Sequence, residues 1–208
     1  MSEKQTKFFW KIFNNNEILL QKIADRFPDS VTPNFLTFIR ILMTIPIILA
    51  AEEKRYLLAA LLFLIAYFFD LIDGPLARIK NRVTEFGKIF DPAADKIVFL
   101  SVLYVVGKRT LPSLLIFVIF SLEFLLVSLP IIFKPIATHL GLVAELGANI
   151  YGKIKMFFQT LGIITLFILL IFKADVLAVV IIFIIASFFS ALSILAHVFS
   201  VKKKKNLS

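Results

Sequence analysis

Apolar residues run in blocks of about twenty, the length that crosses a bilayer core as a helix, and short polar stretches separate them. The first block spans about Pro33 to Ala51, with Pro33 at a first helical position and "EEKR" at 52–55 closing it. The second runs from Tyr56 to Ile79 and the polar "KNRVTEF" follows it. Further blocks cover about Gly87 to Val106, Leu114 to Phe133, Tyr151 to Phe172 and Val176 to Val201, with "GKRT" after the third and a longer polar connection at 134–149 after the fourth. Ahead of them, residues 5–28 place Leu19, Leu20, Ile23 and Phe27 at helical spacing opposite Lys22 and Arg26, broken at Asn14, Asn15 and Asn16, as in an amphipathic segment lying on a membrane surface. The pattern predicts an all-α integral membrane protein of six transmembrane helices preceded by an amphipathic surface helix. Its divisions are an amphipathic juxtamembrane segment at 1–32, a six-helix membrane domain at 33–201 and a basic tail at 202–208.

Composition sharpens this reading. With 60% apolar residues and a mean hydropathy of +0.93, six spans consume nearly the whole chain, so any chemistry lies in or beside the bundle. The net charge of +9 does not point to nucleic acid, because the basic residues sit at segment ends and tails with no soluble basic domain to carry them. On short connections they fall mostly on one side: the N-terminal segment, the 78–88 loop, the 134–155 region and Lys202 to Lys205. Lys54, Arg55, Lys108, Arg109 and Lys173 fall on the other. The positive-inside bias then puts both termini at the cytoplasmic face of the cell membrane. Phe8, Phe9, Trp10, Ile12 and Phe13 are interleaved with Lys7 and Lys11, unlike the ordered regions of a signal peptide, so this segment is expected to be retained. No cysteine occurs, which excludes disulfides and thiolate chemistry, and His139 and His197 are too far apart in sequence for a paired-histidine metal motif.

One stretch does not suit a greasy chain: "FFDLIDGPLARIKNRVTEFGKIFDPAADK", residues 68–96. A carboxylate at membrane depth costs about 2.5–3.5 kcal/mol on insertion scales, so Asp70, Asp73, Asp91 and Asp95 require compensation. At about 100° per residue, Asp70, Asp73 and Ala77 share one side of the second span, with Gly74 beside them leaving room for a ligand. Gly87, Asp91 and Asp95 step along the next helix at four-residue intervals. Two carboxylate pairs on neighbouring helices suit one or two Mg²⁺ or Mn²⁺ ions, hard cations that take oxygen ligands and bridge them to phosphates. Solvated span-end acids and an ion path through a small cation transporter are the competing readings.

Asp70-x-x-Asp73-Gly74-x-x-Ala77-Arg78, eight residues, then Gly87-x-x-x-Asp91-x-x-x-Asp95, resembles the signature of the CDP-alcohol phosphatidyltransferase family at every fixed position. "TPNFLTFIRILMTIP" and "GKIKMFFQ" are similar to segments of its phosphatidylglycerophosphate synthase branch. The resemblance implies phospholipid biosynthesis by transfer of a phosphatidyl group from CDP-diacylglycerol to an alcohol, with release of CMP. It implies Asp70, Asp73, Asp91 and Asp95 as metal ligands for Mg²⁺ or Mn²⁺ and Asp95 as general base. Pro33, Asn34, Phe35, Leu36, Gly74, Ala77, Arg78, Thr84 and Gly87 are then the CDP-donor residues, and a homodimer embedded in membrane lipids is the expected assembly. An intramembrane prenyltransferase also uses paired aspartates and a diphosphate donor, but it ordinarily has more spans and widely separated motifs.

The acceptor is less directly encoded, since family members share a scaffold and differ in the alcohol they use. The branch carries an Arg-Glu pair and a second Arg in its fourth span; here Glu123 is kept but Leu122 and Pro130 occupy the arginine positions. Lys134, Lys153 and Lys155 are the candidates for an acceptor phosphate, with membrane anchoring as their other reading. Glycerol 3-phosphate is the expected acceptor, with inositol phosphate or serine as alternatives.

Overall fold

The structure, a computed structural model, describes residues 25–26, 28, 31–80, 85–139, 142–144 and 149–203. Six long helices occur among them: α1 (Pro33–Glu52), α2 (Tyr56–Ile79), α3 (Glu85–Gly107), α4 (Ser113–Ser128), α6 (Ile150–Phe172) and α7 (Leu177–Phe199). Counting the π-helical turn Leu129–Phe133 that continues α4, each begins and ends within two residues of the block the sequence predicts. The π turn coincides with Pro130, whose missing amide cannot enter a regular helical ladder. The expected amphipathic segment lies almost entirely outside the described residues.

Among the described residues, four helical stretches are long and apolar enough to cross a membrane: Pro33–Glu52, Tyr56–Ala77, Ile150–Phe172 and Leu177–Phe199. Helix α3 has the length but carries charge in its first half, and α4 is 16 residues long before its π turn. Large apolar side chains such as Phe117, Phe124, Phe172 and Phe199 are exposed, the pattern expected where the surroundings are lipid rather than water.

Local chemistry fixes the helix ends. Thr32 Oγ1 accepts the Phe35 amide at 3.2 Å ahead of Pro33, an N-cap followed by proline at the first turn. Asn149 caps α6 by accepting the Gly152 amide at 2.7 Å. Lys173 terminates α6 in the left-handed region at φ 52°, and the Ala174 amide returns to the Leu169 carbonyl at 2.9 Å.

The chain divides into two compact units, Met1–Ile47 with Leu61–Val98, and Ile48–Ala60 with Phe99–Ser208. In the first, Leu36, Ile72 and Leu76 form a buried cluster flanked by Val31 and Phe69, which holds the start of α1 against the last turns of α2. In the second, α7 packs on both α4 and α6, and Ile163, Leu166, Phe167, Val179, Phe183 and Ala186 are buried.

The connection expected to be simply polar at 134–149 is more structured than its composition suggests. It opens with a short helix α5 (Lys134–His139), and β1 (Leu142–Ala144) pairs antiparallel with β2 (Val201–Lys203), matching Leu142 to Lys203 and Ala144 to Val201. The start of the basic tail is therefore tied by backbone hydrogen bonds. Backbone amides and carbonyls left open at the end of a helix need partners, and the apolar Leu142, Val143 and Val201 suit a strand.

Candidate functional site

The last turns of α2 carry Asp70 and Asp73, and the first half of α3 carries Asp91 and Asp95. Helix α1 supplies the group on which three of them meet. Arg40, 2% exposed, contacts Asp70 Oδ1 through Nη1, lies 3.6 Å from Asp73 Oδ2 through the same nitrogen, and reaches Asp95 Oδ1 at 2.9 Å through Nη2. One turn earlier on the same face, the Thr37 hydroxyl donates to Asp91 Oδ1 at 2.8 Å. All four motif aspartates are thus brought to one face of α1. Their side chains are buried or half-buried, so their charges are only weakly screened by water.

Nε, Nη1 and Nη2 of Arg40 and Oδ2 of Asp73 are all buried and make no hydrogen bond of proper geometry, although guanidinium and carboxylate ordinarily pair as a bidentate fork. Four carboxylates against one guanidinium leave an excess of negative charge. An oxygen-only donor set with surplus negative charge and an orphaned buried oxygen is the chemistry that Mg²⁺ and Mn²⁺ select, so the residues fit such an ion in kind. Among the described residues, however, no three histidine or carboxylate side chains close on a point as a ready-made metal site; here the carboxylates surround Arg40.

Gly74 is exposed, and a Cβ built there meets nothing within 4 Å: the space beside the first aspartate pair is open. Gly87 is buried and Ala77 half-buried. Among the proposed donor residues of α1, Phe35 is exposed whereas Leu36 belongs to the apolar cluster with Ile72 and Leu76, so the Leu36 side chain serves packing. Lys80 Nζ donates to the Pro28 carbonyl at 2.6 Å and approaches that of Val31 at 3.5 Å, fastening the chain just ahead of Pro33 to the end of α2. Thr84 lies outside the described residues, as do the side chains of Arg78 and Lys134.

The remaining two acceptor candidates have different surroundings. Lys153 is exposed. Lys155 is buried in the second unit and donates to both Glu123 oxygens at 3.0 Å. Gln159 Nε2 donates to Glu123 Oε1 at 2.7 Å, and Ser190 Oγ approaches the same oxygen at 3.4 Å. This network joins α4, α6 and α7. A second link joins α6 to α7: Asn149 Nδ2 donates to the Ser193 carbonyl at 3.3 Å and lies 3.2 Å from His197 Nε2. Asn149 and Gln159 therefore bond across helices.

Sequence reasoning passed over Arg40 and Thr37. The signal was present: an arginine inside a twenty-residue apolar block is a functional-site candidate in itself, and Thr37 lies three positions away on the same helical face.

Compared with known proteins, residues 30–192 match the family model described as CDP-alcohol phosphatidyltransferase. The chain is 43% identical over 96 residues to the CDP-diacylglycerol–glycerol-3-phosphate 3-phosphatidyltransferase of Rickettsia felis, covering 42% of this chain and 52% of that one. It is 36% identical over 109 residues to the Bacillus subtilis protein of the same name, covering 52% and 53%. The Aquifex aeolicus protein, also of that name, is 28% identical over 152 residues, covering 71% of this chain and 81% of its own. The aligned region thus spans about half the length of the first two relatives.

Proposed function

This chain belongs to the CDP-alcohol phosphatidyltransferase family, and from that premise we propose that it transfers a phosphatidyl group from CDP-diacylglycerol to glycerol 3-phosphate, releasing CMP. The observation that carries the reading is the gathering of Asp70, Asp73, Asp91 and Asp95 at one face of α1, beside the open space at Gly74. The names of the relatives favour glycerol 3-phosphate among acceptors.

In this proposal Asp70, Asp73, Asp91 and Asp95 hold Mg²⁺ or Mn²⁺, which when bound supplies the positive charge that neutralises the donor diphosphate. Pro33, Asn34 and Phe35, with Gly74, Ala77, Arg78, Thr84 and Gly87, border the nucleotide. The glycine at 74 allows close approach of the flat base to backbone, and Arg78 stabilises charge on the departing CMP. The acceptor oxygen bonds to the phosphatidyl phosphorus as the bond to the CMP oxygen breaks, and Asp95 takes the hydroxyl proton.

The protein acts as a homodimer with six spans, α3 and the α4–π run crossing along with the four long apolar stretches. Both termini and the aspartate cluster face the cytoplasm of the cell membrane. Lys153 and Lys134 are the remaining side chains suited to the acceptor phosphate. The test is CMP release by the purified protein with CDP-diacylglycerol and Mg²⁺, offered glycerol 3-phosphate, inositol 1-phosphate or serine in parallel. The proposal expects CMP with glycerol 3-phosphate; CMP with serine or inositol 1-phosphate alone would reassign the acceptor. Pyrophosphate release from a prenyl donor in place of CMP would move the chain to another chemistry.

A further inference from the structure

Arg40 raises a question that the aspartates do not. A buried guanidinium cannot lose its proton, and several carboxylates brought together without a counter-charge repel one another. Arg40 is 2% exposed and touches Asp70, Asp73 and Asp95, which lie on two different helices. Its three nitrogens and Asp73 Oδ2 nevertheless lack hydrogen-bond geometry. Arg40 thus places one positive charge among carboxylate oxygens of both helices.

We propose that Arg40 is a built-in counter-cation: it holds the aspartates of α2 and α3 together in the metal-free protein and competes with a divalent cation for the same carboxylate oxygens. The inference rests on the metal-binding reading of those aspartates. Its physical basis is that a divalent ion among these oxygens and a guanidinium already touching them are like charges a few ångströms apart, which repel. Metal entry and the Arg40 contacts therefore oppose each other. Arg40 is a positioning residue, and the competition gives the cluster two arrangements, one tied by the chain's own cation and one opened for an added ion. Thr37, neutral and bonded to Asp91, does not compete and keeps that ligand oriented in both.

The discriminating feature is that stability and metal affinity move in opposite directions. The full-length protein in detergent, stripped with chelator, is melted with and without Mn²⁺, and Mn²⁺ binding is followed by paramagnetic resonance. Arg40→Gln is expected to lower the metal-free melting temperature, bind Mn²⁺ on the order of ten-fold more tightly than the parent, and show a larger Mn²⁺-induced rise in melting temperature. Arg40→Lys, which keeps the charge, should bind Mn²⁺ within about three-fold of the parent, and it serves as the folded control if Arg40→Gln does not accumulate. In that case parent-like affinity in Arg40→Lys supports the proposal, and a ten-fold gain there overturns it. Unchanged or weakened Mn²⁺ affinity in Arg40→Gln, with Asp91→Asn still abolishing binding, overturns the role of Arg40 and leaves the metal site standing. If the parent binds no Mn²⁺, or Asp91→Asn binds it equally well, the metal reading and this inference both fail.

Discussion

Thr37 on α1 donates a 2.8 Å hydrogen bond to Asp91 on α3, across 54 positions of sequence. A hydroxyl that fixes a carboxylate selects which of its oxygens faces the neighbouring acids, so the effect of Thr37 on chemistry is exerted through Asp91. Removing the hydroxyl by Thr37→Val is expected to weaken divalent-cation affinity about ten-fold, within the range seen for groups that orient ligands. Thr37→Ser should restore most of it. Metal titration of the two variants checks the ordering.

Glu123 and Lys155 form a buried pair with both carboxylate oxygens engaged. Lys155→Ala leaves an uncompensated buried carboxylate and is expected to destabilise by about 3–5 kcal/mol. Replacing both partners, Glu123→Leu with Lys155→Met, should recover most of that loss. The same double variant separates structural from acceptor roles: KM for glycerol 3-phosphate should stay within about two-fold of the parent if the pair only joins helices.

Gly162 lies against Phe183 so closely that a Cβ at 162 would sit 2.6 Å from Cε1 and 2.8 Å from Cζ of the ring. The ring is fully buried. Gly162→Ala is therefore expected to destabilise by about 1–3 kcal/mol despite the better helix propensity of alanine. Adding Phe183→Leu should make the pair non-additive in the restoring direction, which a double-mutant cycle of melting temperatures measures.

Lys173 occupies the left-handed region at φ 52°, where a side chain costs about 1 kcal/mol or more and glycine costs little. Thermal stability should fall in the order Lys173→Gly, parent, Lys173→Val, because a branched Cβ is least tolerated there. The attraction between Lys173 and the end of the α6 dipole reduces the glycine gain by a few tenths of a kcal/mol.

Much of the architecture was legible because its signal is strong and local. Blocks of apolar residues near the bilayer length end at polar stretches, and α1, α2 and α6 begin or end within two residues of those edges. The aspartates were legible through spacing, since Asp70 and Asp73, or Asp91 and Asp95, must share a helical face wherever the helix lies. What was not legible depended on partners distant in sequence. Arg40 stands out as a charge inside an apolar run, but its partners are hidden until α2 and α3 place three carboxylates on it. Lys155 reads as an acceptor contact and Glu123 as the kept half of an Arg-Glu pair, and only the packing of α4, α6 and α7 reveals that they satisfy one another. The pairing of Val201–Lys203 with Leu142–Ala144 escaped notice because three-residue strands have no periodicity to detect.

The most direct measurement of the central claim is CMP release from CDP-diacylglycerol in the presence of glycerol 3-phosphate and Mg²⁺, comparing the parent with Asp95→Asn while donor binding is followed separately. The account predicts turnover by the parent and a loss of about a thousand-fold in Asp95→Asn, with the donor still bound. No CMP from the folded parent with any of the three acceptors, or undiminished turnover by Asp95→Asn, would contradict it.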